Sequence, residues 1–151
     1  MNFISENIKA AANRCRVFQG ITMPFTSRWL IENRVVYTEV FGKLTAQEAA
    51  EMSEAHAKFL DAGTKPVHII GDAQQIESVP VNMRQYTQMG QYLRHPSLGW
   101  VVIVGGQSFV NFVVSMLGQV LHMRSATRDS LDEALNFLAA QDASLKPEQV
   151  G

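Results

Sequence analysis

The sequence predicts a single α/β domain built on a mixed, mostly parallel sheet, and three observations carry that reading. The first is residues 100–121, where the period changes. Trp-Val-Val-Ile-Val at 100–104 is too short for a helix and reads as a strand buried on both faces. Gly105-Gly106 ends it, and Ser108, Asn111, Ser115, Gly118 and His122 then trace one narrow polar stripe on a helix. The second is the alternation of strand-like runs with helical stretches, which calls for parallel strands joined by right-handed crossovers. The third is a pair of capping boxes, Thr45-Ala-Gln-Glu48 and Ser130-Leu-Asp-Glu133, each marking a helix start.

Taken in order, residues 5–16 can form a short helix with Ile4, Ile8, Ala11, Ala12 and Cys15 on one side, closed by Gly20 and Pro24. Cys15 reads as a small core residue. Two strands follow at 29–32 and 35–41 around Asn33-Arg34, an edge hairpin whose second strand has one face more polar than the other. The first capping box starts a helix over 46–62 that Gly63 stops. Its inner face is Ala49, Met52, Ala55, His56, Phe59 and Leu60. A third strand at 66–72 gives way to a loop at 73–80, and Pro80 suits the first turn of a helix over 81–94. Met83, Tyr86, Gly90 and Leu93 are its buried stripe. His95-Pro96 leads into the central strand and helix. A short strand at 123–127 and a last helix with Leu131, Ala134, Leu135 and Leu138 inward complete the pattern. The order is β-β-α-β-α-β-α-β-α: an arm over 1–24, a domain over 25–141 and a polar tail over 142–151, with no internal repeat or linker.

The length of 151 residues suffices for one domain with a real core, and a single cysteine cannot form an internal bridge, which points to the cytoplasm. Thirteen basic residues against fourteen acidic ones give a net charge of -1, without the electrostatic footprint of a nucleic-acid or anionic-membrane binder. Glu6 stands where a secretion signal needs an apolar run. The apolar stretch before Leu121 is interrupted by Gly105, Gly106, Gln107, Asn111 and Ser115, so no membrane span is expected.

Several phrases then carry a family likeness: Val-Val-Tyr-Thr-Glu-Val-Phe-Gly-Lys-Leu-Thr before the first long helix, Lys-Pro-Val-His-Ile-Ile-Gly-Asp72, His95-Pro96 before the central strand, and Ser-Leu-Asp-Glu-Ala-Leu-Asn-Phe-Leu. With the element order, they resemble the STAS domains, the family of sulfate-transporter domains and anti-sigma-factor antagonists, and above all its SpoIIAA-like bacterial members. The likeness covers residues 28–140 and implies that family's βα superhelix. In the antagonists an acidic residue ends a strand and a phosphorylatable Ser or Thr comes next, at the start of the following helix. Asp72 matches that acid, and Glu-Ser-Val-Pro-Val at 77–81 takes the place of the acceptor phrase, which makes Ser78 the acceptor. Val79-Pro80 replace the family's second Ser and Gly-Leu; the alternative is that Ser78 is a capping or loop serine. A phosphate near a helix amino terminus is electrostatically tolerated and changes what a partner meets.

Three functions are consistent with these residues. The resemblance implies a non-catalytic regulatory or protein-interaction module. Phe109, Phe112, Val113, Met116, Leu117 and Val120 crowd a helix with too narrow a polar stripe for one core face, so exposed apolar surface is expected there, as a homodimer interface or partner groove. The alternative is a small-molecule or lipid carrier. Asp72, Gly105, Gly106, Gln107 and Ser108 would then line a pocket at the strand ends for an anionic, apolar or amphipathic ligand, by analogy with SEC14-like lipid carriers. The third is an enzyme using His56, His68, His95 or His122 with Asp72 or Glu77, but no spacing brings two of these together, and His56 and His68 read as satisfied packing residues. The expectation is therefore no enzyme, no cofactor and no metal.

Overall fold

The computed structural model describes residues 17–18, 21–22, 25–78, 94–105, 119 and 122–145. β1 (Val17–Phe18) and β2 (Ile21–Thr22) make a small antiparallel pair. The domain proper is β3 (Phe25–Ile31), β4 (Val35–Lys43), α1 (Ala46–Ala62), β5 (Val67–Ser78), β6 (Leu98–Val104), β7 (Ser125–Arg128) and α2 (Leu131–Gln141). The five longer strands form one sheet in sequential order, β3-β4-β5-β6-β7. β3 runs antiparallel to β4 and the other pairs are parallel, the mixed, mostly parallel sheet that the alternation predicts. The expected helices over 81–94 and 109–121, and the short one over 5–16, fall outside the described residues, apart from Arg94 and Gln119.

The hairpin turns at Asn33, whose φ of 64° is a left-handed conformation that asparagine tolerates better than most residues. Only β3 is an edge of this hairpin. β4 is buried on both faces from Val35 through Phe41, so its polar side chains Thr38 and Glu39 lie inside rather than on a half-polar surface. The capping box forms at α1: Glu48 N–H donates to Thr45 Oγ1 at 3.1 Å, and Thr45 N–H to Glu48 Oε2 at 3.1 Å. Gly63 closes the helix with φ at -83°, an ordinary angle, so space selects the glycine. A Cβ there would lie 2.6 Å from Val67 Cγ2 and 2.8 Å from the Asn33 carbonyl oxygen.

The third strand is longer than its sequence suggests. β5 does not stop at Asp72 but continues to Ser78, because β4 runs past Phe41 to Lys43 and offers it partners. Gln75, Ile76 and Ser78 pair with Phe41, Gly42 and Lys43, and Leu44 N–H donates to the Ser78 carbonyl at 3.0 Å. Register shifts precede Phe41 and come after Gly42, whose φ is +64°. Ile76 joins Val40, Leu44, Ala49 and Ala73 in a buried cluster, which rewards the extension. β7 likewise starts at Ser125 and ends at Arg128, a shift from the expected 123–127.

Both faces of the sheet are covered. On one, Val36, Ile69 and Val101 pack with Leu60 of α1, and Trp29 meets Phe59 edge-on at 5.1 Å. On the other, Val35, Tyr37, Ile70, Val102 and Val104 pack against Leu131, Ala134, Leu135 and Leu138 of α2, the inner face its periodicity predicts. The chain stays on the domain beyond α2. Asp142, the expected start of a polar tail, caps the helix, and Leu145 is only 7 % exposed within the core.

Candidate functional site

Three polar clusters are built into this frame. The first lies between β4 and β5. Glu39 stands opposite Asp72, so both carboxyl groups are on one face, and Tyr37, two residues earlier on β4, shares it. Tyr37 Oη donates to Asp72 Oδ2 at 2.7 Å, Gln74 donates its backbone N–H to Oδ1 at 3.0 Å and its side-chain amide to Oδ2 at 3.3 Å, and Gln75 donates to Glu39 Oε1 at 3.4 Å. Burial, then the Asp72 charge and hydrogen bond, then Glu39 push the Tyr37 hydroxyl far above the ordinary tyrosine range, so it is a fixed proton donor. Arg28, opposite Tyr37 on β3, works against that rise.

The second cluster is on the α1 face. His56 Nε2 is hydrogen-bonded to Thr38 Oγ1 at 2.8 Å, and Thr38 Oγ1 to Ser27 Oγ at 2.8 Å, a chain of bonds from α1 through β4 to the edge strand β3. Burial lowers the His56 pKa to about 4, which keeps the ring neutral at pH 7.

The third lies at the amino-terminal ends of the parallel strands. Trp100 N–H donates to His68 Nδ1 at 2.9 Å, which leaves Nε2 to carry the proton and donate to Asp142 Oδ2 at 2.9 Å. Arg34 Nη2 donates to the same oxygen at 2.7 Å, and Ser144 donates from Oγ and N to Oδ1 at 2.6 and 3.0 Å. Burial works upward on the Asp142 carboxyl, but the bonds from His68 and Ser144 and the Arg34 charge outweigh it and hold the group at about 2. At the rim, His95 Nε2 meets Asp61 Oδ1 at 2.7 Å, and its Nδ1 accepts from Ser97 N–H at 3.1 Å.

Histidine–carboxylate contacts therefore exist at His68–Asp142 and His95–Asp61, although no spacing in the chain announces either. Both ring nitrogens of each are committed to protein atoms. Of the ligand candidates, Asp72 is 1 % exposed with both oxygens accepting bonds, and Gly105, with φ at +63°, is exposed beside Gln74, whose side chain fills the space a Cβ would need. Gly106, Gln107 and Ser108 lie outside the described residues, as do the interface candidates Phe109, Phe112, Val113, Met116, Leu117 and Val120. Ser78 is exposed on the last rung of β5, opposite Lys43. The sequence alone does not single out Tyr37, Glu39 or Asp142. The regular β-branched pattern of β4 hides the first two, and the small, polar composition after 141 hides the third. Among the described residues no group of three or more His, Cys, Asp or Glu is placed to hold a metal, and no helix is long and apolar enough to cross a membrane.

The overall arrangement has counterparts among solved structures. A protein of the DUF3478 family from Shewanella loihica PV-4 superposes with a TM-score of 0.58 at 13 % identity, over 80 % of this chain and 98 % of that one. The chain has a SpoIIAA-like fold. The anti-sigma factor antagonist SpoIIAA, in its unphosphorylated form, superposes with a TM-score of 0.53 at 11 % identity, over 77 % of this chain and 96 % of that one. No family model matches the sequence, and no curated protein matches it. The likeness is thus one of SpoIIAA-like architecture, the architecture the STAS resemblance implies.

Proposed function

We propose that this chain is a non-catalytic regulatory or protein-interaction module. The observation that carries the reading is the SpoIIAA-like fold, shared over 77 % of the chain with an anti-sigma factor antagonist. The internal chemistry agrees with it. Asp72, His68 and His95 spend their hydrogen-bonding capacity on protein atoms, and Tyr37 is held as a donor, so these groups serve packing and position rather than proton transfer to a substrate. Interaction is assigned to the apolar residues around Phe112 and Leu117 as a homodimer surface, with Ser78 as the residue whose phosphorylation would alter a partner's view of the strand ends. The carrier alternative would have to draw on Gly105 and the residues after it, since both Asp72 oxygens are engaged within the chain.

Native mass spectrometry of the purified protein tests this. A dimer without adduct that Phe112→Asp or Leu117→Asp converts to a folded monomer supports the module. A monomer carrying a stoichiometric small molecule replaces it with the carrier.

A further inference from the structure

The sheet ends at β7, which among the described residues pairs with β6 alone. Val101 N–H donates to the Arg124 carbonyl and Gly105 N–H to the Arg128 carbonyl, each at 2.9 Å, so both arginines turn their backbone toward β6. Backbone direction alternates along a strand, so Ala126 follows the arginines while Ser125 and Thr127 turn their N–H and C=O groups to the open side. An open edge is a template for another strand unless something covers it. Here Arg128 Nη1 donates to the Thr127 carbonyl at 2.6 Å, and its guanidinium lies over the Phe137 ring, 4.3 Å from the centre. Phe137 in turn meets Trp100 edge-on at 4.9 Å. A cation thus stands on an outward-facing carbonyl.

Arg128 and Ala126 lie opposite Val104 and Val102, which pack against α2, so Arg124, Ala126 and Arg128 form one row on the α2 face of β7. Residues 122–128 contain both arginines and no acid. Arg124 is exposed, and among the described residues neither arginine is in an ion pair. Glu133, at the start of α2, is turned to Asp129 N–H at 3.0 Å.

A second copy of this chain fits such an edge badly. Two β7 strands laid antiparallel with both outward residues paired would set Ser125 opposite Thr127 and, twice over, Arg124 opposite Arg128. Like charges directly opposite are destabilising. A strand with carboxylates on that face gains where the second copy loses.

We propose that β7 receives an acidic, extended peptide of a partner protein as a sixth strand of the sheet. The peptide backbone bonds Ser125 and Thr127, and its carboxylates meet Arg124 and Arg128. Arg128 passes from the Thr127 carbonyl to a carboxylate, the stronger acceptor, and leaves the carbonyl to a peptide N–H. Docking here rests on the interaction-module reading but uses β7 rather than the residues around Phe112 and Leu117, so native mass spectrometry reads the homodimer and a peptide titration reads the edge.

The probe is an alternating glutamate–valine octapeptide with blocked ends, titrated into the isotope-labelled full chain by NMR and, in fluorescein-labelled form, followed by anisotropy. Saturable binding is expected, with the largest amide shifts at Ser125–Arg128. Added salt is expected to weaken it, and Arg124→Glu with Arg128→Glu to weaken it about tenfold. Should the double variant not fold, Arg124→Glu alone, at an exposed position, is expected to weaken binding about threefold. No saturable binding, shifts centred on the other edge strand β3, equal binding of a lysine–valine octapeptide, or an affinity unchanged by Arg124→Glu overturns the acidic strand. Ser125 and Thr127 amides that shift on dilution without peptide overturn it too, and give the edge to a second copy.

Discussion

Glu39 and Asp72 stand opposite each other on adjoining parallel strands, and their carboxyl groups, in residues only 2 % and 1 % exposed, share one face of the sheet. Burying a carboxylate is costly unless hydrogen bonds replace its water. For Asp72 the Tyr37 hydroxyl at 2.7 Å is the shortest of those replacements. Tyr37→Phe removes the donor and leaves the ring, so it isolates the bond from the packing. It is expected to lower stability by about 2 kcal/mol, the cost of leaving a buried acceptor short of a partner. The measurement is urea unfolding, read as a lower midpoint at unchanged slope. A midpoint equal to wild type would mean that Gln74 alone satisfies Asp72.

His56 sets the acid limb of the stability curve. Its folded pKa of about 4 lies below the ordinary 6.5, so between these values the unfolded chain binds a proton that the folded chain refuses. Stability is therefore full above about pH 6.5 and falls as pH drops toward 4, by about 3 kcal/mol from this residue alone. His68 shifts in the same direction and adds to the slope. Unfolding free energies measured between pH 7 and 4 are expected to flatten in His56→Gln, which can still bond Thr38. An undiminished slope in that variant would remove His56 as its source.

Two glycines separate steric from conformational cost. At Gly63 the backbone angle is ordinary, but a Cβ would press on Val67, the Asn33 carbonyl and Trp29 within 3 Å. Gly63→Ala is expected to cost about 2 kcal/mol through overpacking. At Gly42 the surroundings are open within 4 Å, but φ is +64°. Gly42→Ala is expected to cost about 1 kcal/mol from the left-handed backbone alone. Thermal melts of both variants check the order; a Gly63→Ala chain as stable as wild type would show that the Gly63 turn can move.

What the sequence discloses and what it hides divide along physical lines. Period and capping are local, so α1 and the inward face of α2 are legible from Thr45-x-x-Glu48, Ser130-x-x-Glu133 and the spacing of Leu131, Ala134, Leu135 and Leu138. Strand length is set by a partner. Nothing within residues 73–78 announces that β4 extends to Lys43 and carries β5 with it. Buried polar pairs are likewise relations across the sheet: Tyr37 and Asp72 are 35 positions apart, and His68 and Asp142 are 74 apart. A composition that reads as tail, as after Gln141, can hold the residue that bonds both Arg34 and His68.

What those bonds contribute to stability is open to measurement by truncation. Ending the chain after Leu145 keeps Asp142 bonded to Arg34 and His68 and keeps Leu145 in the core. Ending it after Gln141 removes both. The longer truncation strands the His68 Nε2–H in a residue 2 % exposed and uncovers the apolar surface beneath Leu145. Losing a buried leucine costs about 2 kcal/mol and stranding a buried donor about as much again, so the sum is about 4 kcal/mol, a large share of the stability of a domain this size. The chain ending at 145 is expected to unfold at the full-length urea midpoint and the chain ending at 141 well below it. Equal midpoints for the two truncations would show that residues 142–145 lie on the domain without stabilising it.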